Sequence, residues 1–332
     1  MQRNGALHQP DTRAAWRLYC CNWVMLGLMA VALLLGLAAT GFSIDPASTL
    51  KPAVIVSAYL AYTYYSCHWQ KNPDPKVVFV LGSTGQMLLI PVLMTPLTYV
   101  VASVNMPMQD AALDMLDRAL GLDWMTWFNF FYDRPALLVV TVFAYSMIGW
   151  PVFGIPIVLG WTRRYERLQE FTLAFGIALI VTTVISAFTP AMGTYDFLKY
   201  MPDPAIFTPG AYLEQLRDLP MVRDGSLREL SFGRLAGIIT FPSFHAAAAT
   251  LYLWALWPVR RIGLAALVVN VAMLLATPIG GGHYFVDVFA GIAIAAASVA
   301  AAKWIAGTLT ALDGDIATQH GLSPTAAFDR MF

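Results

Sequence analysis

Long apolar runs separated by short polar segments dominate the chain. A transmembrane helix needs about 20 mainly apolar residues, and hydrocarbon offers no partners for backbone N–H and C=O groups, so such spans must be helical. Pro91, Pro96, Pro151 and Pro156 are therefore expected to kink helices without ending them. The pattern predicts an all-α, polytopic transmembrane helix bundle of about eight spans. The runs are 22–40, 52–69, 77–102, 137–160, 171–189, 241–258, 262–280 and 284–307.

The composition supports a membrane protein. Of 332 residues, 58% are hydrophobic and 12% are charged, with a mean hydropathy of +0.62, whereas a soluble domain carries charge on about a quarter of its residues. The formal net charge is zero, so no global field attracts nucleic acid, and any anion must be recognised by a local site. We therefore expect the bilayer as a partner and no nucleic-acid partner.

Basic residues are concentrated on one side of the predicted bundle. If eight spans alternate, the N-terminal segment 1–21, three short turns and the C-terminal tail 309–332 share that side, which the positive-inside rule assigns to the cytoplasm. The sequence thus predicts a transmembrane catalytic domain at 22–308 with cytoplasmic termini, in a bacterial inner (cell) membrane. The basic residues are Arg3, Arg13, Arg17, Lys71, Lys76, Arg163, Arg164, Arg167, Arg260 and Arg261.

Two long connections lie on the opposite, extracytoplasmic side. Residues 108–132 alternate acidic and apolar positions at helical spacing, as in Asp110 and Asp117 against Leu113, and then become aromatic. This pattern predicts an amphipathic helix in the membrane interface, with a soluble helix packed on the bundle as the alternative. The connection at 190–240 is polar and too long for a simple link. We expect it to form a cap over a site.

Ionisable residues at the ends of the spans cluster in two segments. Such residues are costly in a bilayer, so those present usually have a partner or a task. FPSFH (241–245) opens the sixth span, and GGGHYFVD (280–287) opens the eighth. The seventh span is a simple return, so His245 and His283 are expected at the same extracytoplasmic face.

The spacing of these residues fits acid–base and nucleophilic chemistry. His283 and Asp287 are four residues apart, on one face of a helix. The carboxylate can accept the Nδ1–H of His283, which leaves Nε2 free to attack phosphorus. His245, from another helix, would protonate the leaving oxygen and later activate the acceptor.

Both segments also begin helices, where unpaired N–H groups form a natural seat for phosphate. The glycines before His283, including Gly281 and Gly282, would let the backbone approach an anion closely. These two glycines are therefore candidate substrate-binding residues.

From about residue 237 to 291, the sequence resembles the type 2 phosphatidic acid phosphatase superfamily. It looks closest to the membrane branch that includes inositol phosphorylceramide and sphingomyelin synthases. PSFH (242–245) matches the P-S-x-H motif of the family, and HYFVD (283–287) matches its H-x-x-x-D motif. Elsewhere the likeness is a pattern of spans only.

The resemblance implies specific roles for the matching residues. His283 would be the nucleophile that becomes phosphohistidine, Asp287 its orienting carboxylate, His245 the acid/base, and Ser243 a contact to the phosphate. It also implies that no metal or other cofactor is needed. The implied activity is that of a lipid phosphatase or phosphotransferase.

Two departures from the phosphatase pattern concern basic residues. A Ser-Arg pair normally stands seven and six residues before the second histidine, where this chain has Ala276 and Thr277. In the early K-x6-R-P motif, Arg134 is present but Trp127 occupies the lysine position. These departures favour the synthase-like branch. The basic candidates for binding phosphate are then Arg234, Arg228 and Lys199 in the 190–240 connection.

The acceptor and some alternatives stay open at this point. Transfer to water would make the protein a lipid phosphatase, and transfer to a lipid alcohol such as ceramide or a glycerolipid would make it a synthase. A lipid transporter or headgroup-binding protein would use the histidines only to hold an anion. A structural membrane subunit leaves the two motifs unexplained, and His/His/Asp also suits several metals.

Overall fold

Helices make up nearly all regular structure in the computed structural model, which describes residues 10–319. Between those residues the only strands are β1 (Ser43–Ile44) and β2 (Glu229–Leu230), which pair in parallel. The helices are α1 (Pro10–Thr40), α2 (Pro46–His68), α3 (Pro75–Ala102), α4 (Asp110–Ala119), α5 (Trp124–Tyr132), α6 (Pro135–Ser146), α7 (Pro151–Trp161), α8 (Tyr165–Phe188), α9 (Thr194–Phe197), α10 (Gly210–Asp224), α11 (Phe244–Leu256), α12 (Ile262–Gly280) and α13 (Phe285–Gln319).

Five helices of the described chain are long and apolar enough to cross a membrane. They are α1, α3, α8, α12 and α13, and the bent pair α6–α7 makes a sixth if it is one span. The other two of the eight predicted spans correspond to α2, whose many Ser, Thr and Tyr residues make it less apolar, and to α11, which has 13 residues. The protein is thus an all-helical membrane protein with five or six clear spans.

The predicted span 137–160 is broken. Helices α6 and α7 meet at an angle of 68° across residues 147–150. Pro151 was expected to kink a continuous helix, but it begins α7. Proline has no N–H to continue the preceding helix and is favoured at the first position of a new one, which explains the correction.

The first and last helices are longer than predicted. Helix α1 begins at Pro10 and not near residue 22, because Ala15 and Leu18 are buried in the core and make its first turns part of the bundle. Helix α13 continues to Gln319, past the predicted boundary at 308. The remaining parts of the predicted N-terminal segment and tail, 1–9 and 320–332, lie outside the described residues.

The main core lies between α1, α3, α8, α11 and α13. Large side chains such as Phe79, Phe171 and Tyr252 are buried there, together with a polar group. The amide of Asn22 donates to Gln169 Oε1 (3.1 Å), and Gln169 Nε2 donates to Ser83 Oγ (2.7 Å). Polar contacts of this kind connect membrane helices where no water competes, so α1, α3 and α8 form one unit.

The predicted amphipathic helix 108–132 consists of two helices, α4 and α5. Its acidic face does not point to solvent: Asp110 and Asp117 are buried, whereas Leu116 and Leu120 are exposed. The acids point inward because they accept hydrogen bonds from backbone N–H groups of other segments. The outward apolar face is the one that an interfacial position requires.

Candidate active site

Ser243 fixes the start of α11. It is the N-cap residue, and its Oγ accepts a hydrogen bond from Ala246 N (3.3 Å), the role for which serine is favoured at helix N-termini. Its own N–H donates to the carbonyl of Asp287 (3.1 Å), which ties the start of α11 to the first turn of α13. His245, in the first turn of α11, is therefore held near the start of α13.

His283 lies in the short loop between α12 and α13. Its Nδ1 is 3.2 Å from Asp287 Oδ2, and the same oxygen accepts from Tyr284 N (2.9 Å). The prediction that His283 and Asp287 share a helix face needs a correction: His283 precedes the helix, and Asp287 in the first turn reaches back to it as in a capping box. Both side chains are buried.

This arrangement assigns the two nitrogens of His283 different environments. If the buried carboxylate of Asp287 accepts Nδ1–H, the lone pair of Nε2 is free. Nε2 lies 3.4 Å from Ser243 Oγ and borders a cavity. The carboxylate of Asp287 at Nδ1 therefore selects the tautomer with its proton on Nδ1.

The two histidines border the same cavity, which has a volume of about 270 Å³. Its other walls come from α3, α6, α8, α10 and the segment before α11. They are mainly apolar, with Thr95, Thr98, Tyr145 and Gln215 as the polar exceptions apart from the histidines. The predicted meeting of His245 and His283 at one site is thus present in the fold.

The two candidate glycines differ in position. Gly281 borders the cavity, and a Cβ at this position would overlap Tyr145 and His283. Gly282 has φ +63°, a left-handed value that glycine adopts readily. Its carbonyl accepts from Thr194 N (2.8 Å), and Gly282 is not among the residues that line the cavity.

The three basic candidates lie outside this cavity. Lys199 pairs with Asp196 (3.1 Å) and is exposed to solvent. Arg228 donates to Val222 O (2.9 Å), and Arg234 lies on the surface at a separate pocket. Within the described chain, neither lysine nor arginine is found among the residues that line the cavity.

Asp117 is a residue that the sequence analysis assigned only to a polar helix face. Its carboxylate accepts from Phe285 N (2.8 Å) and Val286 N (2.9 Å), the first N–H groups of α13. Burial raises the pKa of Asp117, and the two N–H donors act in the opposite direction. It therefore fixes the helix that carries Asp287.

Asp110, seven residues before Asp117 in α4, also accepts hydrogen bonds from other segments. Its carboxylate accepts from Met192 N (3.0 Å), from Gly193 N (2.8 Å) and from the hydroxyl of Tyr284 (3.0 Å). Asp110 therefore links the 190–240 segment to Tyr284, the residue next to His283. The spacing of seven between the two acids was the available signal, because it places both on one side of a helix.

A sequence model of the PAP2 superfamily matches residues 111–301. The chain belongs to this superfamily. The match runs from α4 into α13 and includes Asp117, Ser243, both histidines and Asp287. No curated protein and no solved structure matches the chain.

Superfamily membership confirms the coarser part of the resemblance. Members of the PAP2 superfamily are generally phosphatases or phosphotransferases, so the match supports an enzyme of that kind in the membrane. The synthase-like branch is a finer prediction, and the match does not address it.

Proposed function

We propose that the protein takes a phosphoryl or phosphoalcohol group from a lipid onto His283 Nε2, at the extracytoplasmic face, and passes it to water or to a lipid alcohol. The observation that carries the proposal is the convergence on one cavity of His245, from the first turn of α11, and His283, from the loop before α13, with Asp287 at Nδ1 of His283. Eight spans and a cap formed by residues 190–240 are part of this proposal. Ala211, Gln215, Gly237 and Ile239 of that connection line the cavity.

In the proposed first step, the two nitrogens of His283 have different roles. The Nε2 lone pair of His283 attacks phosphorus, and the bond from phosphorus to the leaving oxygen breaks. Protonated His245 gives its proton to that oxygen. Asp287 keeps the Nδ1–H and stabilises the positive charge that develops on the ring, as an orienting carboxylate does in a catalytic triad.

The second step reverses the proton transfer. Neutral His245 takes a proton from water or from a lipid hydroxyl, whose oxygen attacks phosphorus while the P–N bond to His283 breaks. The free imidazole of His283 is restored with its proton on Nδ1.

The walls of the cavity support a lipid substrate. Pro91 is about three helical turns from the end of α3 at Ala102, so the cavity extends from the histidines into the depth of the spans. Pro91, Ile148 and Leu179 form apolar walls there, against which a hydrocarbon chain can pack. The phosphate end would lie at the histidines.

Among residues 10–319, no basic side chain lines the cavity, which favours a phosphodiester donor. A phosphomonoester carries about −1.5 to −2 charges at neutral pH, whereas a phosphodiester carries one, and an unpaired buried charge is costly. A phospholipid headgroup therefore suits this lining better than a phosphatidate or a prenyl pyrophosphate. This argument also favours the synthase-like branch.

Rapid quenching with a phospholipid labelled at phosphorus tests the proposal. We expect an acid-labile phosphorus label on the protein that is lost in His283→Ala. His68→Ala is the matched control, since that histidine bonds to Tyr64 O at the end of α2 and does not line the cavity. A fully active protein that never carries label would overturn the mechanism. Binding or transport of the lipid without phosphate transfer would support the transporter alternative.

Adding ceramide or diacylglycerol and resolving the products identifies the acceptor. A headgroup found on the added alcohol indicates a synthase, and release of the phosphorylated headgroup to water in its presence indicates a hydrolase. Both results are compatible with the phosphohistidine step, so the identity of the acceptor is tested separately from the mechanism.

A further inference from the structure

The ring of Tyr145 covers one face of His245. The two ring centroids are 4.1 Å apart and the planes differ by 7°. Tyr145 comes from α6 and His245 from α11, so this contact joins two helices at the wall of the cavity. Neither family motif contains this tyrosine.

The ring face, and not the hydroxyl, is the main contact. Tyr145 Oη is 3.4 Å from His245 Nδ1, which is long for a hydrogen bond. The Nδ1 lone pair or proton lies in the imidazole plane, and the phenol ring is stacked nearly parallel above that plane. The hydroxyl is therefore poorly aligned with Nδ1, and stacking defines the orientation of the imidazole.

The Tyr145 ring also lies close to the backbone before His283. A Cβ at Gly280 would overlap the Tyr145 ring, and a Cβ at Gly281 would overlap its hydroxyl. The ring is thus close both to His245 and to the backbone that leads to His283. Because glycine has no Cβ, Gly280 and Gly281 leave room for the Tyr145 ring beside this backbone.

The break after α6 sets the position of Tyr145. Helix α6 ends at Ser146, and the chain then turns by 68° into α7. Tyr252 Oη donates to Ile148 O (2.8 Å) and so connects this break to α11, the helix of His245. The position of Tyr145 therefore depends on the bend between α6 and α7 and on its contact with α11.

We propose that Tyr145 is a positioning residue for His245. Its ring face holds the imidazole plane so that Nε2 faces the phosphorus centre at the cavity during both proton transfers. The inference rests on the proposed function, because the proton transfers are those of the phosphohistidine mechanism. Tyr145 acts through His245, and an aromatic ring at this position is sufficient.

Substitutions at Tyr145 separate the ring from the hydroxyl. We expect Tyr145→Phe to keep kcat within about threefold, since the stacked face remains. Tyr145→Met fills similar volume without an aromatic face and should lower kcat at least about tenfold, part of the 10²–10⁴-fold that acid–base catalysis supplies. KM should change little. Tyr165→Met removes a ring stacked on Phe79 (5.0 Å between centroids), does not line the cavity, and is the matched control.

A double-mutant cycle with His245→Ala distinguishes positioning from general stability. If Tyr145 acts through His245, adding Tyr145→Met to His245→Ala lowers turnover no further, whereas independent effects would multiply. Tyr145→Leu replaces the methionine variant if the latter is not monodisperse. Multiplying effects, or Tyr145→Phe as slow as Tyr145→Met, would overturn the ring-face inference.

Labelling of the unmodified protein keeps this test independent of the proposed function. If that protein carries no phosphohistidine and turns over no lipid phosphate, the proposed function fails. If it is labelled and active, His245→Ala is slow, and Tyr145→Met is as fast as the unmodified protein, only the role of Tyr145 is rejected.

Discussion

The two histidines of the candidate site are held by different kinds of contact. His283 is held by polar contacts: Asp287 lies at Nδ1 and Ser243 Oγ is 3.4 Å from Nε2, while Asp117 fixes the start of the helix that carries Asp287. His245 is held by the stacked face of Tyr145, with only a long contact at Nδ1. One site therefore combines a polar support for one histidine with an aromatic, apolar support for the other.

The difference suits the two proposed roles. A hydrogen bond to a carboxylate selects one tautomer, which a nucleophile needs in order to keep a nitrogen lone pair free. A stacked ring fixes the plane of an imidazole without selecting a tautomer, which an acid/base residue needs because its protonation changes in each step. The comparison leads to four predictions, from the largest expected effect to the smallest.

Asp287→Asn removes the polar support of His283. We expect kcat to fall about 10³- to 10⁴-fold with folding retained, by analogy with the loss of an orienting carboxylate in a triad. The rate of protein labelling by phospholipid measures this. Asp74→Asn, which alters a carboxylate that caps α3 at Lys76 N (2.9 Å), is the control. Undiminished turnover would remove Asp287 from the mechanism.

Gly280→Ala tests the apolar support of His245. The added methyl group would overlap the ring of Tyr145 and displace it from His245. A misplacement of 1 Å can cost about 100-fold, and we expect a decrease in kcat of about 10- to 100-fold. Gly27→Ala, in open space on α1, is the matched control. Equal rates for both variants would show that the ring tolerates displacement.

Asp117→Ala weakens the polar support of His283 indirectly, because Asp117 fixes the start of α13, the helix that carries Asp287. Loss of a capping side chain costs about 1–2 kcal/mol, so the thermal midpoint should fall by roughly 2–4 °C for each kcal/mol, with a severalfold decrease in turnover. Asp114→Ala, on the same helix, breaks only a pair with exposed Arg118 and should have less effect. Thermal unfolding in detergent compares them, and equal midpoints would contradict the assigned role.

Replacing the three basic candidates tests whether charge outside the cavity contributes. Lys199, Arg228 and Arg234 do not line it; Lys199 pairs with Asp196, and Arg228 donates to Val222 O. We expect each glutamine variant to change KM by less than about twofold. A tenfold rise in KM at constant kcat would place that residue on the phosphate, as the sequence analysis proposed.

The parts of the site that could be predicted are encoded in short spacing. His283 and Asp287 contact each other because they are four residues apart at a helix start, and Ser243 caps α11 because it stands directly before Phe244, the first residue of that helix. Patterns of this length depend little on the remainder of the fold. The apolar runs likewise predicted most of the spans, since hydrocarbon requires helical backbone.

The parts that could not be predicted depend on what each helix face and each connection meets in the folded protein. The acids of α4 were assigned to a polar outer face, but Asp117 points inward because the unpaired N–H groups of α13, 168 residues later, lie beside it. The basic candidates for binding phosphate were chosen by their place in the sequence, and none of the three lines the cavity; their role stays a prediction. Helical periodicity tells which residues share a face and not what that face meets.

The sequence by itself determined that the chain is a helical membrane protein with two histidine motifs, and it established the local pair of His283 and Asp287. Only the tertiary structure decided that α4 secures α13, that Tyr145 reaches His245 across 100 residues, and that no basic side chain of the described chain lines the cavity. The physical reason is that hydrogen bonds within one helical turn follow from backbone geometry. Contacts between distant helices depend on the bend of α6–α7 and on the packing of the whole bundle.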